Sequence, residues 1–208
     1  MSDDKPLRGR QAEARRNDRL VLDAARRVFA EHGFSAPITA VAEEAGVGIG
    51  TLYRRYDGKD ELLQHLCVLS LRQNLEAANE ALAMDDAWEG LADYIQRCVD
   101  FGAGAFAPVA GTIVTTDEMR ELAQAVRSSV SKLVTRAQRV GSLRTDVNVI
   151  DVLQLVEHFS RAHPGAGPRT RGPRARQLAI ALSGLRADGR LALPAPPPTP
   201  EDYEAAWL

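Results

Sequence analysis

The chain has 208 residues, long enough to bury a sizeable core as one large domain or two small ones. Apolar residues make up 45% and charged residues 26%, an ordinary globular balance that excludes a disordered or fibrous chain. The formal net charge of -2 argues, taken alone, against a nucleic-acid binder, but from Lys5 to Arg27 eight basic residues stand against only Glu13, Asp18 and Asp23. Local sign matters more to DNA than the total.

Residues 1–12 are charged and contain Pro6 and Gly9, so the expectation is a flexible basic arm. Arg8 and Arg10 either reach into a minor groove or stay in a solvated tail. With no apolar core, MSDDKPLRGR is not a secretory signal, and no stretch approaches the ~20 apolar residues of a membrane span. A helix is expected over 13–32, because Val21, Leu22, Ala25, Val28 and Phe29 fall on one stripe. Gly33 is placed to close it, and Pro37 suits the first turn of the next helix.

From Ile38 to Lys59 the chain reads ITAVAEEAGVGIGTLYRRYDGK. Val41, Ala42 and Ala45 form the apolar face of a short helix that must end at Gly46, and Val47 drops back into the core. A second helix is expected over about 48–56, with Leu52 and Tyr56 inward. Ile49, Gly50, Thr51, Tyr53, Arg54 and Arg55 then point largely outward. Two short helices joined by a glycine turn, the second with a polar outer face, are the parts of a DNA-binding helix-turn-helix. Gly46, Gly48 and Gly50 do not make a dinucleotide loop, because that pattern needs a preceding strand.

A long helix follows over 59–83, opened by Asp60 and Glu61 and carrying Leu62, Leu63, Leu66, Leu69 and Leu71. The next, over 87–102, holds Trp88, Leu91, Tyr94, Ile95, Cys98 and Phe101, and the small-residue passage after it is broken by Gly104, Pro108 and Gly111. Thr115 and Glu118 have capping-box spacing for a helix that stops at Gly141. Asn148 is placed to cap a helix over 149–162; a loop over 163–173 and a helix over 174–187 follow. The tail over 194–208 is proline-rich, with an unexplained Trp207.

The pattern AxxAGVxxGTLYxxYxxKxEL, carried by Ala42, Ala45, Gly46, Val47, Gly50, Thr51, Leu52, Tyr53, Tyr56, Lys59, Glu61 and Leu62, resembles the signature of the TetR family of transcriptional repressors. The resemblance covers roughly residues 15–66. It implies an all-α fold of about nine helices. A helix-turn-helix DNA-binding domain would occupy 13–58 and a helical ligand-binding and dimerisation domain 59–193. It further implies a homodimer on a palindromic double-stranded DNA operator, released by a small-molecule effector. Lys59 matches the family's phosphate-contacting lysine. Pro37 and Gly48 depart from the pattern, which has a hydroxyl at the first position and often one at the second; Thr39 is the nearest hydroxyl. The expected DNA-binding set is therefore Thr39, Ile49, Gly50, Thr51, Tyr53, Arg54, Arg55 and Lys59.

Two further sites follow from the later helices. Trp88, Tyr94, Phe101 and Phe106 concentrate aromatic walls in a chain with only 5% aromatics, and Met84, Cys98, Met119 and Gln124 complete a candidate ligand-binding set. No buried charge marks it, so the ligand would be largely apolar; the other reading is plain core packing. Val152, Val156 and Phe159, with Leu178, Leu182 and Leu185, form stripes that pair with a second subunit or face only the protein's own core. Cys67 and Cys98 lack metal or redox spacing and His32, His65, His158 and His163 are scattered, so the expectation is buried thiols in a reducing cytoplasm, no metal and no cofactor. Neither a nucleophile motif nor paired carboxylates point to an enzyme. The alternative function is a helical protein-binding adaptor without sequence-specific DNA binding, against which the basic first helix and the Arg54 to Lys59 cluster count.

Overall fold

The computed structural model describes residues 5–32, 35–54, 56–104, 106, 113–160, 168–188 and 192–199. Eight α-helices stand among them: α1 (Lys5–His32), α2 (Ile38–Ala45), α3 (Ile49–Tyr53), α4 (Lys59–Leu82), α5 (Ala87–Phe101), α6 (Asp117–Arg139), α7 (Val149–Ser160) and α8 (Pro168–Leu185). The small-residue passage between α5 and α6 falls largely outside the described residues. So do Gly33, with its expected cap, and Trp207.

Two hydrophobic clusters divide the molecule. In the head, Val21, Leu22, Ala25, Val28 and Phe29 of α1 meet Val41 and Ala42 of α2, Leu52 of α3, and Leu62, Leu63, Leu66 and Cys67 of α4. In the body, Ala77, Ala78 and Ala81 of α4 pack with Leu91, Tyr94, Ile95 and Cys98 of α5. Val126, Val130 and Leu133 of α6, Val152 and Val156 of α7, and Leu178 of α8 complete that core. Helix α4 thus serves both. Among the described residues no helix is long and apolar enough to cross a membrane.

Caps set the boundaries of the body helices. Asp86 Oδ1 accepts from the N–H groups of Trp88 at 2.8 Å and Glu89 at 2.9 Å, opening α5, and these bonds hold its carboxyl below the usual range. Asn148 opens α7 as expected: its Oδ1 accepts from Ile150 N–H at 2.8 Å, while its own N–H donates to Asp151 Oδ2 at 2.7 Å. The far end of α4 is closed by a guanidinium. Arg136 donates to the carbonyls of Leu82, Met84 and Asp85 at 2.9, 2.6 and 2.5 Å, satisfying acceptors that a helix end leaves open.

Three boundaries differ from the sequence expectation. Helix α1 begins at Lys5, so residues 5–12 are helical and not an arm; Pro6 falls in the first turn, where its missing N–H costs nothing, and Arg8, Arg10, Gln11 and Ala12 favour helix. Thr116, not Thr115, caps α6, accepting from Met119 N–H at 3.2 Å. Helix α8 begins at Pro168 instead of 174 and carries Pro173 inside it; a proline is tolerated at a first helical position, which makes Pro168 a natural start.

Two close approaches fix helix spacing in the body. A Cβ at Gly90 would lie 2.6 Å from the carbonyl oxygen of Ala81, and one at Gly104 would lie 2.6 Å from Cα of Glu157. Both obstacles are backbone, which cannot turn aside. Gly184 has no atom within 4 Å of its would-be Cβ. Gly90→Ala is therefore expected to lower unfolding free energy by about 1–3 kcal/mol, the scale of overpacking. Gly184→Ala is expected to be neutral or to add up to ~1 kcal/mol. Urea unfolding followed by circular dichroism measures both.

Candidate nucleic-acid interface

The interface is built by one turn. Gly46 adopts φ 66°, the left-handed conformation that ends α2. Its N–H reaches Glu43 O at 3.1 Å, and Val47 N–H reaches Ala42 O at 3.0 Å, the paired bonds of a glycine-closed helix end. Val47 then packs against the head core. Gly48 stands in extended conformation and leads into α3 without a side-chain bond. Helix α3 is shorter than the 48–56 expected, ending at Tyr53. Tyr56 N–H nevertheless donates to Leu52 O at 2.9 Å, so the turn continues far enough to bury Tyr56 beside Leu52.

With Leu52 and Tyr56 inside, Gly50, Thr51, Tyr53 and Arg54 are brought together on the outside. Tyr53 is 57% exposed, in the outward position expected of it. Ile49 is half-buried against the head cluster, and Thr39 is exposed on α2. Arg54 lies back along its own helix: Nε donates to Gly50 O at 3.2 Å and Nη2 to Thr51 Oγ1 at 3.4 Å. These are long, exposed bonds, and so weak competitors for a base edge or phosphate. Arg55 lies outside the described residues.

Lys59 does not share that outward placement. Its Nζ donates to Ala36 O at 2.8 Å and stands 5.8 Å from the Phe29 ring centroid. It ties the start of α4 to the turn between α1 and α2, beneath the reading surface. Two of the basic residues of α1 are also engaged within the protein. Arg27 pairs with Glu44 at 2.6 Å, and Arg26 is buried.

The eight residues of the candidate ligand set do not line one space. Tyr94 and Cys98 are fully buried in the body and both point to Asn74 Oδ1, at 2.9 and 3.6 Å. Trp88 is buried under the Arg186 guanidinium, 4.8 Å from its ring centroid, and Met84 is half-buried at the turn between α4 and α5. Phe101 is half-buried beneath Arg26. Phe106, however, belongs to the head core, edge-on to Phe29 at 6.4 Å, and Met119 packs on the same cluster. Gln124 is exposed on the outer side of α6. Phe106 and Met119 thus stand with the head cluster, apart from Tyr94 and Cys98 in the body cluster. Two open clefts, of about 510 and 520 Å³, are lined by α4 around Leu75 and Asn79, and by Asp86, Trp88, Arg136 and Arg186. Neither touches Tyr94, Cys98 or Phe101. Burial pushes both thiols, Cys67 and Cys98, up to about 12.

Of the candidate dimer residues, Val152, Val156 and Leu178 are buried in the chain's own core, and Phe159, Leu182 and Leu185 are half-buried against it. The stripes on α7 and α8 are thus largely consumed within one chain. Ile180, 61% exposed on the opposite side of α8, was not anticipated. Its signal in the sequence is an apolar residue standing off the stripe. Arg26 was missed as well; its position among the apolar residues of α1 was the available sign.

Two family models match the chain. That for bacterial regulatory proteins of the tetR family covers residues 21–66, and that for the C-terminal domain of SbtR-like transcriptional regulators covers residues 86–187. None of the curated proteins compared matches. Among solved structures, a TetR transcriptional regulator of Streptomyces coelicolor is 27% identical, with 81% of this chain and 98% of that chain covered and a TM-score of 0.59. A TetR regulatory protein of Mycobacterium vanbaalenii is 26% identical, with coverage of 85% and 98% and a TM-score of 0.59. The TetR-like regulator LfrR of Mycobacterium smegmatis, solved with proflavine, is 22% identical, with coverage of 86% and 99% and a TM-score of 0.60; that likeness shows the fold.

Lys59→Met keeps an apolar stem near Phe29 and removes the bond to Ala36. It is expected to cost about 1–2 kcal/mol of stability, the scale of a charge-assisted hydrogen bond at a half-buried site. Thermal unfolding in the absence of DNA measures it. An unchanged midpoint would return Lys59 to a purely external role.

Proposed function

Because the chain belongs to the TetR family of bacterial regulators, DNA-binding proteins that control transcription, we propose that it is a cytoplasmic repressor that binds a palindromic operator as a homodimer and is released by a small, largely apolar ligand. The observation that carries the DNA half of this reading is the two-sidedness of α3. Leu52 and Tyr56 anchor it, and Thr51, Tyr53 and Arg54 stand exposed within a single turn. A helix held from behind in this way enters a major groove without moving its support. Thr51 and Arg54 face base edges or phosphates, Arg55 joins them, and Tyr53 and Thr39 hold the backbone.

Specificity needs a second head, because one reads only a few base pairs; two on a two-fold axis read grooves about 34–36 Å apart. We place the dimer contact on the outer side of α8, around the exposed Ile180, since Phe159, Leu182 and Leu185 are partly covered by the chain's own core. The ligand we place in the body among α4, α5 and α6, around Tyr94, Cys98 and Phe101. It would open packed side chains there, and it releases DNA only by favouring a head arrangement that misfits the operator. LfrR, similar in fold, was solved in complex with a small molecule, proflavine.

An electrophoretic shift with duplex from the promoter of the protein's own gene tests the central claim; no shift at micromolar protein and low salt would sink it. Arg54→Ala is expected to lower discrimination at one base position by about 1–3 kcal/mol, the worth of a bidentate arginine–guanine pair. A uniform loss across all sequences would demote Arg54 to a phosphate contact. Ile180→Arg is expected to leave the fold intact, since the side chain is exposed, and to shift the dimer toward monomer in sedimentation at micromolar concentration.

A further inference from the structure

Arg26 lies on α1 in the midst of the head's apolar residues, yet its side chain leaves the head. It is 7% exposed, and its guanidinium donates to Ser70 Oγ at 3.0 Å and Gln73 Oε1 at 3.1 Å, both near the middle of α4. Its plane stands 5.3 Å from the Phe101 ring centroid at the end of α5. The acidic partner is weak: Asp23 of the same helix is 3.5 Å away and about half exposed. One donor, Nε, is buried without a partner among the described residues. Desolvation holds the group down at about 10 from its ordinary value, so it stays charged at neutral pH.

A stem of methylenes would fill this place at lower cost. Burying a charge with incomplete pairing is unfavourable, and such groups are retained where they specify an arrangement more than where they add stability. The guanidinium is suited to specification, because its planar fork fixes direction as well as distance. Here it fixes three elements together: α1 of the head, the part of α4 between the two cores, and α5 of the body. Next to it, Asn74 of α4 accepts from Tyr94 and Cys98 of α5. Ser70 and Asn74 lie one turn apart on α4, as do Tyr94 and Cys98 on α5, so the two sets of polar contacts are neighbours on one face of α4.

We propose that Arg26 is a positioning residue that sets the angle between the reading head and the body, and thereby the half-site spacing that the dimer accepts. The consequence for spacing rests on the dimeric operator reading; the angle itself does not. Helix α3 is held in the head core through Leu52, so a rotation of α1 on α4 carries Thr51 and Arg54 with it. Loss of the fork leaves each head able to read its half-site while freeing the distance between the two.

The test starts from duplexes selected by the unaltered protein from a random-sequence library. Affinity is then measured for an isolated half-site and for palindromes whose spacing is lengthened or shortened by one and two base pairs. Arg26→Met is expected to reduce the preference for the best spacing about tenfold, the scale set by the cost of deforming DNA to fit. Half-site affinity should stay within about twofold, well under the loss expected from a missing base contact. Arg26→Lys, which keeps charge but not the fork, should recover part of the preference. If both variants keep the parental spacing preference, or lose half-site and palindrome affinity in parallel while folded, the proposal is overturned. Should Arg26→Met fail to fold, Gln73→Ala removes one acceptor from the fork, and an unaltered spacing preference there overturns it equally.

A second measurement needs neither DNA nor dimer. Spin labels at Glu43→Cys in the head and Glu89→Cys in the body, both exposed, report the distance within one chain when labelled chains are diluted with unlabelled ones. The native thiols are buried and stay unlabelled. A broadened distribution with Arg26→Met supports the proposal, and an unchanged one overturns it. If the unaltered protein selected no duplex, the operator reading would fail while this measurement still decided the angle.

Discussion

Helix α4 belongs to two hydrophobic cores at once, and the rest of the molecule is arranged around that fact. Leu62, Leu63 and Leu66 are buried in the head, and Ala77, Ala78 and Ala81 are buried in the body. The change in side-chain size is itself informative. Leucines anchor the small helices of the head, which have little other apolar surface to offer. Alanines let α5 and α6 approach closely, and Gly90 brings the start of α5 against the carbonyl of Ala81. A continuous helix can curve gently, but a sharp kink would cost backbone bonds, so displacement at one end of α4 is largely passed to the other. The head therefore cannot move independently of the body unless the joint near Ser70 yields.

That joint is polar. Between the two apolar ends of α4 the inward positions are Ser70 and Asn74, with Cys67 on the head side. Each is matched: Ser70 by Arg26, Asn74 by Tyr94 and Cys98. Farther along, Asn79 accepts from Ser129 of α6 at 3.0 Å. Buried polar groups cost most when left unpaired, so these bonds restrict how α1, α5 and α6 may sit on α4. Apolar packing holds the helices together, while the polar contacts choose one arrangement among those that packing alone would allow.

The head was legible from sequence because its rules are local. Gly46 needs a left-handed φ, Leu52 and Tyr56 share a turn, and the residues between them have nowhere to go but out. The body was legible in element order but not in the direction of its faces. Val152, Val156 and Leu178 form apolar stripes whether they meet their own chain or another, and hydrophobic spacing carries no label for the partner. Phe106 illustrates the same limit: an aromatic after α5 looks like body, but the chain path returns it to Phe29. Long-range placement of that kind has no signature at short range. Helix α1 extended past its expected start because proline and glycine near a terminus weaken a helix without forbidding it.

Charge was the most misleading of the sequence signals. The basic excess from Lys5 to Arg27 suggested a surface for phosphate, but the structure spends part of it elsewhere. Arg26 is inside the joint, Arg27 is paired with Glu44, and Lys59 reaches inward to Ala36. Arg16, Arg19 and Arg54 remain exposed. A surface whose positive charge is reduced in this way gains less from counterion release, which supplies sequence-independent affinity. On the proposed reading, recognition then leans on contacts made only when the groove fits, at Thr51, Tyr53 and Arg54, and on two heads held at a fixed distance. On the same reading the two features are complementary: cations drawn inward contribute less to affinity for arbitrary DNA, and the joint at Arg26 would make the spacing between half-sites part of what is recognised.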